Sequence, residues 1–218
     1  MFKYIFFDLD GTLTDSAEGI TKCVQYALAA RGIDEPDLNK LRPFIGPPLL
    51  ESFMNFYGMT ESEARFCTGK YRERFADTGI YENKVYPGVP QMLAELQGLG
   101  LTLAVATSKP VAFARRVTDY FDLSRYFAYI TGPDFNGSLP TKADVIADAL
   151  EHFGITGSAR QEVLMVGDRR HDIIGAKKCG LRSCGVRYGY AAPGELEEAG
   201  ADYIVSTWQE IVKIIKGN

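Results

Sequence analysis

The chain has 218 residues, of which 46% are hydrophobic and 24% charged, with a formal net charge of −4. These are ordinary values for a globular protein able to bury a core without disulfides. The acidic balance, with a pI near 5.3, argues against a nucleic-acid polymer or an anionic membrane surface as partner. It leaves room for a locally basic phosphate pocket. The four cysteines (Cys23, Cys67, Cys179, Cys184) form no C-x-x-C pair and no zinc-type spacing with histidine, so reduced, packed thiols are expected.

The apolar run Tyr4–Phe7 is too short for a signal peptide or a membrane span, which predicts a cytoplasmic protein. It reads as a buried strand ending at Asp8-Leu9-Asp10-Gly11. Helical spacing follows over Ile20–Arg31, Pro48–Tyr57 and Thr60–Ala76, the last opened by the capping-box pattern Thr60-Glu61-Ser62-Glu63. Beyond Tyr86-Pro87-Gly88 the pattern alternates. Strands are predicted at Leu101–Ala106, Tyr126–Thr131, Val163–Val166, Arg182–Val186 and Tyr203–Val205. Helices are predicted at Val89–Gln97, Val111–Phe121, Lys142–Phe153, Asp172–Cys179 and Trp208–Lys216.

Alternation of this kind predicts an α/β fold, a doubly wound parallel sheet covered on both faces. The stretch between the first strand and the second far exceeds the dozen or so residues a crossover needs. The prediction is therefore a core of residues 1–15 and 86–218 with a small helical domain, 16–85, inserted after the first strand.

Ligands of such sheets bind beyond the carboxyl ends of the strands. Asp8 and Asp10 leave the first strand together, with Gly11 permitting a tight turn that offers backbone N–H groups to an anion; a solvated acidic turn looks the same. Thr107 and Ser108 leave the second strand as donors for a phosphate or as a plain helix cap. Lys142 opens a helix, where the dipole disfavours a cation, so it suits a local cluster of negative charge or is a surface residue. Asp168 ends the fourth strand and Asp172 lies one turn further on. Each signal has its ordinary reading, but all fall at successive strand ends in chain order. Four carboxylates at one point need compensation, which Lys142 and a divalent cation would supply. An all-oxygen donor set favours Mg²⁺ over zinc.

These motifs resemble those of the haloacid dehalogenase superfamily: Asp8-x-Asp10-Gly-Thr-Leu-x-Asp15-Ser16, Thr107-Ser108-Lys109, Lys142, and Gly167-Asp168-Arg169-x-x-Asp172. Arg42-Pro43-x-Ile45-Gly46-Pro47-Pro48-Leu49 and Gly185-Val186-x-Tyr188-Gly189-Tyr190-Ala191 are similar to its phosphoglycolate phosphatase-like and 5′-nucleotidase-like branch. The resemblance implies a Rossmann-like core with a helical cap and a phosphatase acting on a small phosphorylated metabolite. It implies Asp8 as nucleophile forming an aspartyl-phosphate and Asp10 as general acid and base. Mg²⁺ would be held by Asp8, Asp168, the carbonyl of Asp10, and Asp172 directly or through water. The phosphoryl group would be held by Thr107, Ser108, Lys142 and backbone N–H groups around Gly11. Arg42, Ile45, Gly46 and Pro47 of the cap would select the leaving group. His171 and His152 are expected outside the metal set, and Tyr188–Tyr190 lines the cleft mouth or covers the sheet.

Thr-Ser-Lys stands where phosphoglycolate phosphatases commonly have Thr-Asn-Lys. The resemblance admits a sugar phosphomutase, which shares all four motifs, although Thr12 in place of valine favours hydrolysis. A dehalogenase would not need Asp10 and Asp168, and a phosphonatase typically lacks the second aspartate. A receiver domain has its acceptor on a later strand and no large insertion. A monomer or homodimer fits equally well.

Overall fold

The computed structural model describes residues 1–217. They form two compact units, one of residues 1–14 with everything from 85 onward, the other of residues 15–84. The chain runs through β1 (Tyr4–Phe7), β2 (Thr14–Asp15), α1 (Ala17–Ala29), α2 (Leu49–Tyr57), α3 (Glu61–Arg74) and β3 (Lys84–Val85). It continues with α4 (Val89–Gly98), β4 (Thr102–Ala106), α5 (Val111–Tyr120), β5 (Tyr129–Thr131), α6 (Lys142–His152), β6 (Val163–Gly167), α7 (Arg170–Lys178), β7 (Arg182–Val186), α8 (Glu195–Ala199), β8 (Tyr203–Val205) and α9 (Trp208–Lys216).

In the first unit six strands lie in the order β5-β4-β1-β6-β7-β8, and every neighbouring pair is parallel. This is the doubly wound α/β sheet that alternating strands and helices predict. β1 is central: Tyr4 stands opposite Thr102 on one side and Val163 on the other. The central strands β1 and β6 carry no charged or alternating polar residue, as suits strands covered on both faces. On one face Phe6, Ala104, Ala106 and Met165 pack with Val145, Ile146, Ala149 and Leu150 of α6 and Ala176 of α7. The order reverses at β1, whose partners β4 and β6 come from later, separate crossovers. Such a switch point opens a crevice at the carboxyl edge.

The predicted strand over 126–131 starts later, at Tyr129, because Ser124–Tyr126 closes into a 3-10 turn and Phe127 N–H is bonded to Ser124 O. The five-residue α8 carries too little periodicity to read from sequence. All four cysteines are buried thiols outside any disulfide. Among the described residues no helix is long and apolar enough to cross a membrane.

In the second unit α1 packs on α3, and α2 on α3. α3 opens with the predicted capping box, Thr60 Oγ1 accepting from Glu63 N and the Glu63 carboxylate accepting from Thr60 N. A π turn, Phe75–Gly79, extends it. There α1 and the turn meet backbone to backbone: a Cβ on Gly19 would lie 2.1 Å from Gly79 O and 2.9 Å from Glu82 O. Gly19→Ala is therefore expected to destabilise the protein by about 2–3 kcal/mol, through overpacking that backbone cannot relieve cheaply. Urea unfolding at constant m-value measures this, and an unchanged midpoint would contradict the close approach.

Candidate active site

Asp8 follows β1 directly and is buried, 3% exposed. Its Oδ1 accepts Leu9 N–H at 2.8 Å and lies 2.9 Å from Lys142 Nζ. Among the described residues no protein donor reaches its Oδ2. Asp168 ends β6, and Asp172 sits one turn into α7; both are fully buried. Carboxylate oxygens of Asp8, Asp168 and Asp172 all lie within 4.8 Å of one another.

Lys142 reaches this cluster from the first position of α6, after the Thr141 cap. Its ammonium lies 2.9 Å from Asp172 Oδ1 and donates to Ala106 O at 3.1 Å. A cation at a helix start is disfavoured by the dipole; here two carboxylates and a strand-end carbonyl supply the reason. Burial pulls the Lys142 ammonium toward deprotonation, but Asp172 and Asp8 together more than offset that and raise it above the ordinary lysine value. Burial pushes Asp172 up to about 6, Lys142 opposing and Asp8 reinforcing the shift. Asp168 stands well above the usual carboxylate range through burial and the charges of Asp172 and Asp8, partly offset by its hydrogen bonds.

Those hydrogen bonds come from residues to which sequence patterns alone assign no such task. Thr12 Oγ1 donates to Asp168 Oδ1 at 3.0 Å, and Tyr190 N–H donates to Oδ2 at 2.8 Å. Tyr188 donates its hydroxyl to Thr12 O at 3.1 Å, tying the segment after β7 to the loop after β1. Arg169 N–H holds Asp172 Oδ2 at 3.1 Å. Glycine makes the crowding possible. A Cβ on Gly189 would lie 2.3 Å from Asp168 Cβ, and one on Gly167 2.2 Å from the Asp172 carboxyl. A Cβ on Gly11 would lie 2.2 Å from Asp168 Oδ2.

Gly11 corrects one expectation. Its N–H donates to Thr14 O at 2.8 Å, so it serves the loop and is no free donor for an anion. What Gly11 supplies is the missing side chain and a left-handed φ of 86°. Asp10 is buried next to the cluster without belonging to it: Oδ2 pairs with Lys109 Nζ at 2.8 Å, and Oδ1 is buried with no hydrogen-bond partner among the described residues. Lys109 lay in plain view in Thr107-Ser108-Lys109, but spacing gives no hint of which acid it meets. Thr107 is buried and Ser108 half-buried; Thr107 Oγ1 accepts Lys109 N–H at 3.2 Å. His171 is exposed and is outside the carboxylate group. Arg42, Ile45, Gly46 and Pro47 lie in the other unit, at and after the 3-10 turn Leu38–Phe44. There Arg42 is exposed, Ile45 buried, and Gly46 left-handed at φ 104°.

The donor chemistry fits a divalent cation: three buried carboxylates, all oxygen, with one ammonium among them. A buried acidic cluster at the carboxyl edge of a doubly wound parallel sheet, next to lysines and hydroxyls, defines a phosphate-handling α/β enzyme. The model of the haloacid dehalogenase-like hydrolases matches residues 5–186, and the chain belongs to that family, as one of its phosphatases, a phosphoric monoester hydrolase. It is 50% identical over 195 residues to a 5′-nucleotidase of Pseudomonas aeruginosa, covering 89% of this chain and 87% of the other. A phosphoglycolate phosphatase 1 of the same organism is 30% identical over 217 residues, covering 96% and 78%. The crystal structure of a predicted phosphatase from Clostridium acetobutylicum superposes with a TM-score of 0.96 at 45% identity over 100% of both chains.

Removing the buried ammonium leaves the acids uncompensated. Lys142→Met is expected to lower stability by about 3–5 kcal/mol in metal-free buffer at pH 7, and adding Asp172→Asn to restore part of that. Urea unfolding of the single and double variants checks this. A double variant no more stable than Lys142→Met would contradict the charge account.

Proposed function

We propose that the protein is a Mg²⁺-dependent phosphatase that hydrolyses small phosphate monoesters through a phosphorylated Asp8. The observation that carries this is the placement of both protein donors of Asp8 on Oδ1. Lys142 and the Leu9 N–H hold Oδ1, and Oδ2 remains available to attack phosphorus. In the first half-reaction Oδ2 bonds to phosphorus as the ester P–O bond breaks, and Asp10 gives the leaving oxygen its proton. In the second, water bonds to phosphorus while Asp10 takes its proton. The bond to Asp8 breaks, and inorganic phosphate leaves. Thr107 and Ser108 hydroxyls with the Lys142 ammonium hold the phosphoryl oxygens.

Asp8, Asp168, Asp172 and the carbonyl of Asp10 would hold the Mg²⁺, which neutralises charge between a dianionic phosphate and an attacking carboxylate. Thr12 and Tyr190 orient Asp168 for that task. In the helical unit Arg42, Ile45, Gly46 and Pro47 select the leaving group. The likeness to a 5′-nucleotidase makes nucleoside 5′-monophosphates the first substrates to test, beside phosphoglycolate and sugar phosphates.

Phosphate release from a panel of these esters is expected with Mg²⁺ and absent with excess chelator. Asp8→Asn, its fold checked by circular dichroism, is expected to lose about 10³-fold or more in kcat. Near-wild-type turnover in Asp8→Asn, or rates indifferent to chelator, would refute the assignment.

A further inference from the structure

The site contains two buried lysines, and the mechanism above uses one. Lys142 serves Asp8 and Asp172. Lys109 reaches Asp10 instead, Nζ 2.8 Å from Oδ2, with the two side chains only 4% and 10% exposed. Its main chain is held independently of that contact. Lys109 N–H donates to Thr107 Oγ1 at 3.2 Å, and the next helix starts with Val111 N–H bonded to Pro133 O at 2.9 Å. Gly132 lets the following loop approach so closely that a Cβ there would lie 2.4 Å from Lys109 O. The ammonium occupies one oxygen of Asp10, and the other, Oδ1, is buried with no partner among the described residues. A carboxyl group with one oxygen engaged by protein and the other unclaimed has a defined face for a reacting oxygen.

We infer that Lys109 is a positioning residue for Asp10: it holds Oδ2, so that Oδ1 is the atom that exchanges the proton with leaving group and water. This rests on the assignment of Asp10 as acid and base. With an ester whose leaving group needs no proton, the half-reaction that still depends on a correctly placed Oδ1 is the second, in which the attacking water gives up its proton. Loss of Lys109 therefore slows hydrolysis of the phosphorylated enzyme more than its formation from such an ester. In that half-reaction the water O–H bond breaks toward Asp10 Oδ1, the new P–O bond forms, and the P–O bond to Asp8 breaks, the electron pair returning to Asp8.

The test uses the full chain with Mg²⁺ and p-nitrophenyl phosphate, whose leaving group needs little help from an acid. Lys109→Met is expected to lower kcat about tenfold, a modest share of a general-base contribution. KM should fall with it, and a burst of nitrophenol should precede the steady state, because kcat/KM reports only the steps up to phosphorylation. Lys109→Arg should regain most of kcat. In an Asp10→Asn background Lys109→Met should change nothing further. Should Lys109→Met fail to fold, Lys109→Gln takes its place in both backgrounds. A fall in kcat/KM without a burst, or an equal loss in the Asp10→Asn background, would overturn the role of Lys109. Unchanged kcat in Asp10→Asn alone would instead overturn the assignment of Asp10, whatever Lys109 does.

Discussion

Lys142 places its ammonium 2.9 Å from both Asp8 and Asp172, where three acids from two separate stretches of chain come within 4.8 Å of one another. Two like charges 4 Å apart repel by about 4 kcal/mol at an effective dielectric of 20, so three carboxylates do not gather there unaided. One ammonium among three carboxylates leaves a surplus of two negative charges when all are ionised. Burial first, and then the neighbouring negative charges, hold Asp168 and Asp172 above the usual carboxylate range. The charge a divalent cation carries matches the surplus. Function and electrostatic instability are here the same arrangement.

The sheet order delivers these groups to one place. β1 lies between β4 and β6, so Asp8 has Ala106–Thr107 on one side and Asp168 on the other. Glycines at 11, 167 and 189 remove the Cβ atoms that would collide with the carboxyl groups. The two lysines take different acids: Lys142 stands by Asp8 and Lys109 by Asp10.

Much of this was legible in the residues. Apolar runs without alternation marked strands covered on both faces, and the strand-end acids Asp8 and Asp168 followed from where those runs stop. Lys142 was legible because a cation at a helix start needs a reason. What escaped the sequence depends on three-dimensional direction. The Thr12 hydroxyl meets Asp168 across 156 positions of sequence, and Tyr190 contributes a backbone N–H that every residue but proline possesses. Lys109 was visible as a residue but not as a partner of Asp10, since a lysine side chain reaches too many places for spacing to choose one. Gly11 was expected as a donor because it allows a turn; the turn consumes its N–H on Thr14 O.

Trapping the phosphorylated enzyme tests the central claim most directly. Protein mixed with a turned-over phosphate ester and Mg²⁺ is quenched in milliseconds, reduced with borohydride and digested. A phosphorylated aspartate is converted to homoserine, which mass spectrometry locates. The account predicts homoserine at position 8, formed at a rate no slower than turnover. Reduction at another acid, or none at position 8 while the ester is being hydrolysed, would contradict it.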